Sequence, residues 1–225
     1  MTTTTTTQGG WRGFVTDWAS DREAFSNVAW GKAMMWIFLL SDTFVFGCFL
    51  LAYMTARMST VVPWPNPSEV FALHMFGADL PLILIAIMTF VLISSSGTMA
   101  LAVNFGYRRD RRMTAGLMIV TAILGAAFVG MQAFEWSKLI SEGVRPWGNP
   151  WGAEQFGASF FMITGFHGTH VSIGVIFLVA IAWKVLRGDY EPGGRGSYEH
   201  VEIMGLYWHF VDLVWVFIFA FFYLW

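Results

Sequence analysis

Five stretches of this sequence run for more than twenty residues each without a lysine or an arginine: 34–54, 82–103, 114–136, 157–183 and 203–225. All five are mostly apolar. A helix needs roughly 20 such residues to cross the hydrocarbon core of a bilayer. A cation at the bilayer centre costs at least ~2.5–3.5 kcal/mol, so the complete absence of basic residues marks where hydrocarbon begins and ends. Composition agrees. Charged residues make up 12% of the chain, against about 25% in globular domains. The 22 phenylalanines and 12 tryptophans suit aromatic belts at membrane interfaces. The fold class expected is all-α, a polytopic membrane bundle of five transmembrane helices.

The same composition excludes other classes. A net charge of −2 supplies no basic field for nucleic acid. The single cysteine, Cys48, rules out an internal disulfide framework and an all-cysteine metal site. Soluble-enzyme signatures are missing: there is no GxxxxGK[ST], no GxSxG and no HExxH.

Basic residues between the spans set the orientation. Arg12, Arg22 and Lys32 precede the first span, Arg108, Arg109, Arg111 and Arg112 follow the second, and Lys184, Arg187 and Arg195 follow the fourth. Only Arg57, Lys138 and Arg145 lie on the other side, ten against three. The excess predicts a cytoplasmic N-terminus and an external C-terminus.

Residues 1–29 read as a polar and interfacial segment, and 30–225 as the membrane domain. The threonine run 2–7 has no apolar region behind it and is expected to be disordered rather than a signal peptide. Segment 11–25 mixes aromatics with charges, as an interfacial stretch does. Between the spans, 63–67 reads PWPNP, an extended proline-rigidified loop. Loop 143–152 carries Pro146, Trp147, Pro150 and Trp151 and suits headgroup level, whereas 188–196 reads as flexible. No internal repeat supports an inverted-repeat transporter.

Lipid tails are as apolar as leucine, so small residues must bring helices together. Two stripes at i, i+4 spacing stand out: Ala122, Ala126 and Gly130 in the third span, and Thr164, Gly168 and Ser172 in the fourth. Each fits either a contact within the bundle or a surface for a partner subunit.

Ionisable side chains in hydrocarbon are expensive and mark functional candidates. They are Asp42, Glu135, His167, His170, His209 and Asp212. The pairs His167/His170 and His209/Asp212 are three apart, so each shares one helical face and could hydrogen-bond. Three readings compete: haem or metal ligation by the histidines, a proton path across the bundle, and structural pinning of neighbouring helices at about 0.6 kcal/mol per polar contact. The aromatic stripe Tyr207, Trp208, Phe210, Trp215 and Phe217 fits lipid-facing or packing surface better than a cofactor box.

FFMITGFHGTH at 160–170 and YWHFVDLVW at 207–215 resemble subunit III of the haem–copper terminal oxidases. FLLSDTFVF at 38–46, MQAFEW at 131–136 and the acid Glu202 extend the resemblance through nearly all of 30–225. It is the five-helix form that the chain resembles. Two further N-terminal helices of longer members have no counterpart in 1–29.

The resemblance implies a non-catalytic subunit of a proton-pumping oxidase that reduces oxygen to water. By it, haem and copper belong to partner subunits I and II, this chain holds no metal or cofactor of its own, and the histidines become interhelical hydrogen-bonding groups. It also implies direct packing on subunit I, bound membrane phospholipid, support of proton uptake, and residence in a bacterial cytoplasmic membrane. Arg187 and Glu202 are the lipid-headgroup candidates, while Pro192 stands where some members have a lipid-contacting histidine. MQAFEW, YWHFVD and Glu202 suggest cytochrome c as electron donor. Asp42, in place of the family glutamate, is similar to quinol-oxidising members, so a quinol oxidase is the alternative. An accessory subunit of nitric-oxide reduction comes third, and a di-haem b cytochrome is the reading from outside this class.

Overall fold

A computed structural model describes residues 28–71, 73–75, 78–80, 82–191 and 197–225. The threonine run, the segment 11–25, Arg195 and Pro192 therefore lie outside the described residues. Five long helices are present: α1 Trp30–Ser59, α3 Ile83–Tyr107, α4 Arg111–Ser141, α5 Gln155–Arg187 and α6 Glu199–Phe219, the last running into a π-helical segment Ala220–Leu224. All five are long and apolar enough to cross a membrane. Each is longer than the apolar stretch that announces it, the last once its π-helical segment is counted.

The sequence reading contains no short elements, and the structure adds some. A one-turn helix α2, Pro67–Val70, follows the proline loop, capped by Asn66 Oδ1, which accepts from the Ser68 N–H at 3.2 Å. Strands β1 (Leu73–Met75) and β2 (Ala78–Leu80) then form an antiparallel hairpin.

Local chemistry ends and starts the long helices. Asp110 caps α4, its Oδ1 accepting from the Met113 N–H at 3.1 Å. Gly188 terminates α5 in the left-handed region, φ +83°, where its N–H reaches the last carbonyls. Loops 63–67 and 143–152 are not independent. The Ala153 N–H donates to Pro63 O at 3.2 Å, and a Cβ at Gly152 would stand 2.3 Å from that same oxygen. Only glycine lets the two loops meet there.

Helices α3, α4 and α5 pack side by side, and α6 closes against α3 and α5. Helix α1 leans on α6 and α5 from outside. Its apolar window is only 17% buried, against half for the last helix. Contacts at both ends agree with the grouping of charges between the spans. Lys32 at the start of α1 pairs with Glu202 at the start of α6. At the opposite end, Arg57 Nη1 donates to Trp225 O at 2.6 Å, and its guanidinium lies 4.5 Å from the Trp225 ring centre.

The core is aromatic. Trp208, Trp215, Phe128, Phe156, Phe160, Phe222 and Tyr53 are fully buried. Two members of the aromatic stripe, Trp208 and Trp215, are thus interior packing, while Phe217 is half exposed. Trp208 explains a pair of glycines. A Cβ at Gly125 on α4 would come 2.4 Å from its ring, and one at Gly174 on α5 would come 3.0 Å from it. The small-residue stripes fare differently. Ala122 is buried, but Ala126 and Gly130 face outward, so the close approach of α4 runs through Gly125 instead.

Candidate functional site

The six ionisable candidates within the spans fall into three clusters, each joining different helices. The first sits where α1 crosses α5. Asp42 Oδ2 lies 3.3 Å from His170 Nε2, inside ion-pair distance but not aligned as a hydrogen bond. His170 Nδ1–H donates to Phe166 O at 2.8 Å, which turns Nε2 toward α1. The hydroxyl of Tyr207 on α6 donates to the His170 carbonyl at 2.8 Å. One histidine therefore connects three helices.

The second cluster lies between α3, α5 and α6. His167 is fully buried, and its Nε2–H donates to Val211 O across the interface at 3.1 Å. Its ring packs against Phe128 and Trp215, and its Nδ1 has no partner among the described residues. Trp208 Nε1–H donates to Ser95 Oγ at 2.9 Å, and Ser95 in turn donates to Leu92 O. His209 Nδ1 and Ser96 Oγ are 2.6 Å apart, and Asp212 also interacts with Ser96.

The third cluster is at the Arg57 end. Glu135 on α4 is buried, and its Oε2 accepts from Gln132 Nε2–H at 2.7 Å and from the Tyr223 hydroxyl at 3.1 Å. Nearby, the Tyr53 hydroxyl on α1 donates to Phe221 O at 3.1 Å. The π-helical segment holding Phe221 and Tyr223 is thereby tied to both α1 and α4.

These contacts correct one expectation from the sequence. Neither pair of same-face residues bonds within its own helix. His167 turns to α6 and His170 to α1, while His209 turns to Ser96 on α3. His167 and His209 find a partner on a neighbouring helix, whereas His170 keeps an intrahelical bond from Nδ1–H to Phe166 O and turns only Nε2 to α1. Of the six intramembrane candidates, Asp42 and His170 come within ion-pair distance, and His209 and Asp212 meet through Ser96. Among the described residues no three His, Cys, Asp or Glu side chains gather as a metal would need.

The lipid candidates also separate. Glu202 is taken up by Lys32 and interacts with Tyr107. It lines a cavity of about 200 Å³ with Val103, Arg109 and Ser197. Burial, then the neighbouring Glu191 carboxylate, pushes the Tyr198 phenol beside this cavity above its ordinary value. Its hydroxyl donates to Glu191 Oε1 at 3.1 Å. Arg187 is exposed at the end of α5, its guanidinium 4.9 Å from the Trp183 ring centre.

Residues that the sequence reading passed over complete these clusters: Ser95, Ser96, Gln132, Tyr53 and Tyr223. Two signals were available. A serine triplet at 94–96 interrupts an otherwise apolar span, and Gln132 stands three residues before Glu135.

Comparison with known proteins is consistent with this arrangement. The family described as cytochrome c oxidase subunit III matches residues 11–225. A protein of Staphylococcus epidermidis named "Probable quinol oxidase subunit 3" is 34% identical over 193 residues, 84% of this chain and 86% of that protein. Its namesake in Staphylococcus aureus is 33% identical over 190 residues, with the same coverage of each chain. With five membrane-length helices and a match through to its last residue, the chain is a multi-pass membrane protein that belongs to the subunit III family of the haem–copper oxidases.

Proposed function

We propose that this chain is the non-catalytic third subunit of a quinol-oxidising, proton-pumping terminal oxidase in a bacterial cytoplasmic membrane. It packs on the catalytic subunit, holds phospholipid and keeps proton uptake in step with oxygen reduction. Haem and copper reside in the partner subunits, and this chain holds neither. The observation that carries the non-catalytic role is the match to the subunit III family over residues 11–225, and the histidine contacts fit it. His167 Nε2 is engaged by Val211 O, His170 Nδ1 by Phe166 O, and His209 Nδ1 by Ser96. The His167 and His209 contacts pin neighbouring helices, which is what polar groups in a bilayer do most cheaply.

Two observations favour quinol over the cytochrome c suggested by MQAFEW and YWHFVD. The staphylococcal relatives carry the quinol oxidase name, and Asp42 occupies the position of the family glutamate. For lipid, Arg187 is the headgroup residue of choice, because Glu202 is already committed to Lys32. The purified complex, given a short-chain quinol or reduced cytochrome c, distinguishes the donors. Oxygen uptake with quinol alone is expected, and uptake with cytochrome c alone would return the assignment to the other branch. His167→Gln, His170→Gln and His209→Gln should each leave the haem and copper content per complex unchanged. Loss of one haem in any of them would make this chain a ligand-bearing subunit.

A further inference from the structure

Two grooves flank α1, and they differ in what their walls offer. The one between α1 and α6 holds about 690 Å³, and no titratable group lines it. Its two threonines, Thr43 and Thr55, donate to carbonyls of their own helix. The one where α1, α5 and α6 meet holds about 560 Å³. It begins at Ile181 and His200, toward the Lys32 end of the bundle, and reaches His170, eleven residues back along α5 or about 16 Å. His170 stands near the middle of α5. Aromatic faces wall that deep end. The Phe38 and Tyr207 rings lie 24° from parallel with centres 6.3 Å apart, and both line the groove with Met35 and Met204. The imidazole there is only half spent: Nδ1–H goes to Phe166 O, whereas Nε2 makes no hydrogen bond among the described residues. Asp42 Oδ2, 3.3 Å away, is sealed from outside, but His170 itself lines the groove with 13% of its side chain exposed.

We propose that the groove between α1, α5 and α6 binds one quinol, with its ring against Phe38, Tyr207 and His170 and its tail running out along Ile173, Phe177 and Ile181. The site rests on the proposed function and deepens it: the quinol that feeds the oxidase is also held by this chain. A ring nitrogen without a hydrogen bond is costly in the middle of hydrocarbon. Only a ligand that carries a polar group to that depth relieves the cost. A phospholipid does not, because its headgroup stays at the helix ends and only methylene and methyl groups reach mid-span. A quinol has the opposite build, a flat polar ring on a long apolar tail that travels within the hydrocarbon. With Nδ1–H committed to Phe166 O, Nε2 of the neutral imidazole is an acceptor, and a quinol hydroxyl is a donor. Contacts with two aromatic faces and with methionine sulfur suit the flat head. The site is one of binding, and oxidation of the quinol belongs to the catalytic subunit. The wholly apolar α1–α6 groove suits acyl chains instead.

The test uses the whole purified oxidase and a short-chain quinol analogue with a photoreactive azide on its ring. Illumination should attach the analogue to this chain within 35–38, 170–181 or 200–207, the segments that line the groove. Excess unlabelled quinol should displace that label, and added phospholipid should not. His170→Leu removes the acceptor and should lower the label on this chain about tenfold, the loss of one buried hydrogen bond. Ile173→Trp should lower it as far by filling the groove from a side chain that is 44% exposed. This second variant leaves the Asp42–His170 pair in place, so it stands even if His170→Leu loosens α1. Label on the catalytic subunit should stay the same in both. Label that phospholipid displaces as well as quinol does, or that both variants keep in full, would overturn the proposal. So would label on the catalytic subunit alone. These outcomes concern the site; an oxidase that takes up no oxygen with quinol overturns the proposed function itself, whatever this chain binds.

Discussion

Helices α1 and α6 have similar composition and opposite situations. Helix α6 touches α1, α3 and α5, and Trp208 reaches on into α4 through Gly125. Its large aromatics are spent inside the bundle, and its polar atoms reach α3 and α5. Helix α1 buries only Leu39, Asp42, Phe46 and Tyr53, while Leu40, Phe44, Leu51 and Met58 stand well exposed. Its polar fastenings among the described residues include Lys32 with Glu202, Asp42 with His170, and Tyr53 with Arg57 against the C-terminal segment. Hydropathy does not separate the two helices, because lipid accepts leucine as readily as a protein interior does. What separates them is shape. Where glycine faces tryptophan, dispersion holds the helices together. At α1 a few polar contacts do so, together with Phe46 packed on Phe166 and Tyr53 on Phe222.

If that contrast holds, the largest effect comes from filling the tryptophan slot. Gly125→Leu puts atoms where the Trp208 ring already lies, 2.4 Å from the first added carbon. We expect a destabilisation of about 3 kcal/mol or more, visible as loss of the chain from the membrane. Trp208→Phe removes the bond to Ser95 and leaves a void. We expect about 2 kcal/mol, read as a lower aggregation temperature in mild detergent. Asp42→Asn weakens one of the polar fastenings of α1 and should cost about 0.6 kcal/mol, a small shift by the same method. Lys32→Gln acts on a half-exposed ion pair worth about 0–1 kcal/mol. Its effect should fade as salt is raised. Equal effects from all four variants would erase the distinction between the two helices.

Much of this architecture was legible. A missing basic residue is an unambiguous signal in hydrocarbon, so five helices could be counted from charge alone. The intramembrane ionisable residues stood out for the same reason: Asp42, Glu135 and the three histidines are conspicuous because they are expensive. Their partners did not. Periodicity along one helix places His167 beside His170, and it carries no information about which neighbouring carbonyl competes for the ring. The real contact glycines, Gly125 and Gly174, lie off the i, i+4 stripes because a bulky ring, rather than a backbone, faces them. Strands of three residues such as β1 and β2 leave too short a pattern to read. The prolines point to an extended loop at 63–67, yet its packing against 143–152 through Gly152 depends on a positive φ that no spacing reveals.

The central claim is that this subunit supports an oxidase without supplying its chemistry. The most direct measurement is turnover and metal content of the oxidase stripped of this chain. The account predicts full haem and copper content and substantial initial oxygen uptake. Activity should then fall over successive cycles, fastest at alkaline pH where protons for uptake are scarce, with Asp42→Asn in the intact complex showing a far milder decline. A stripped enzyme that lacks a haem or a copper, or that shows no initial activity at all, would contradict the claim.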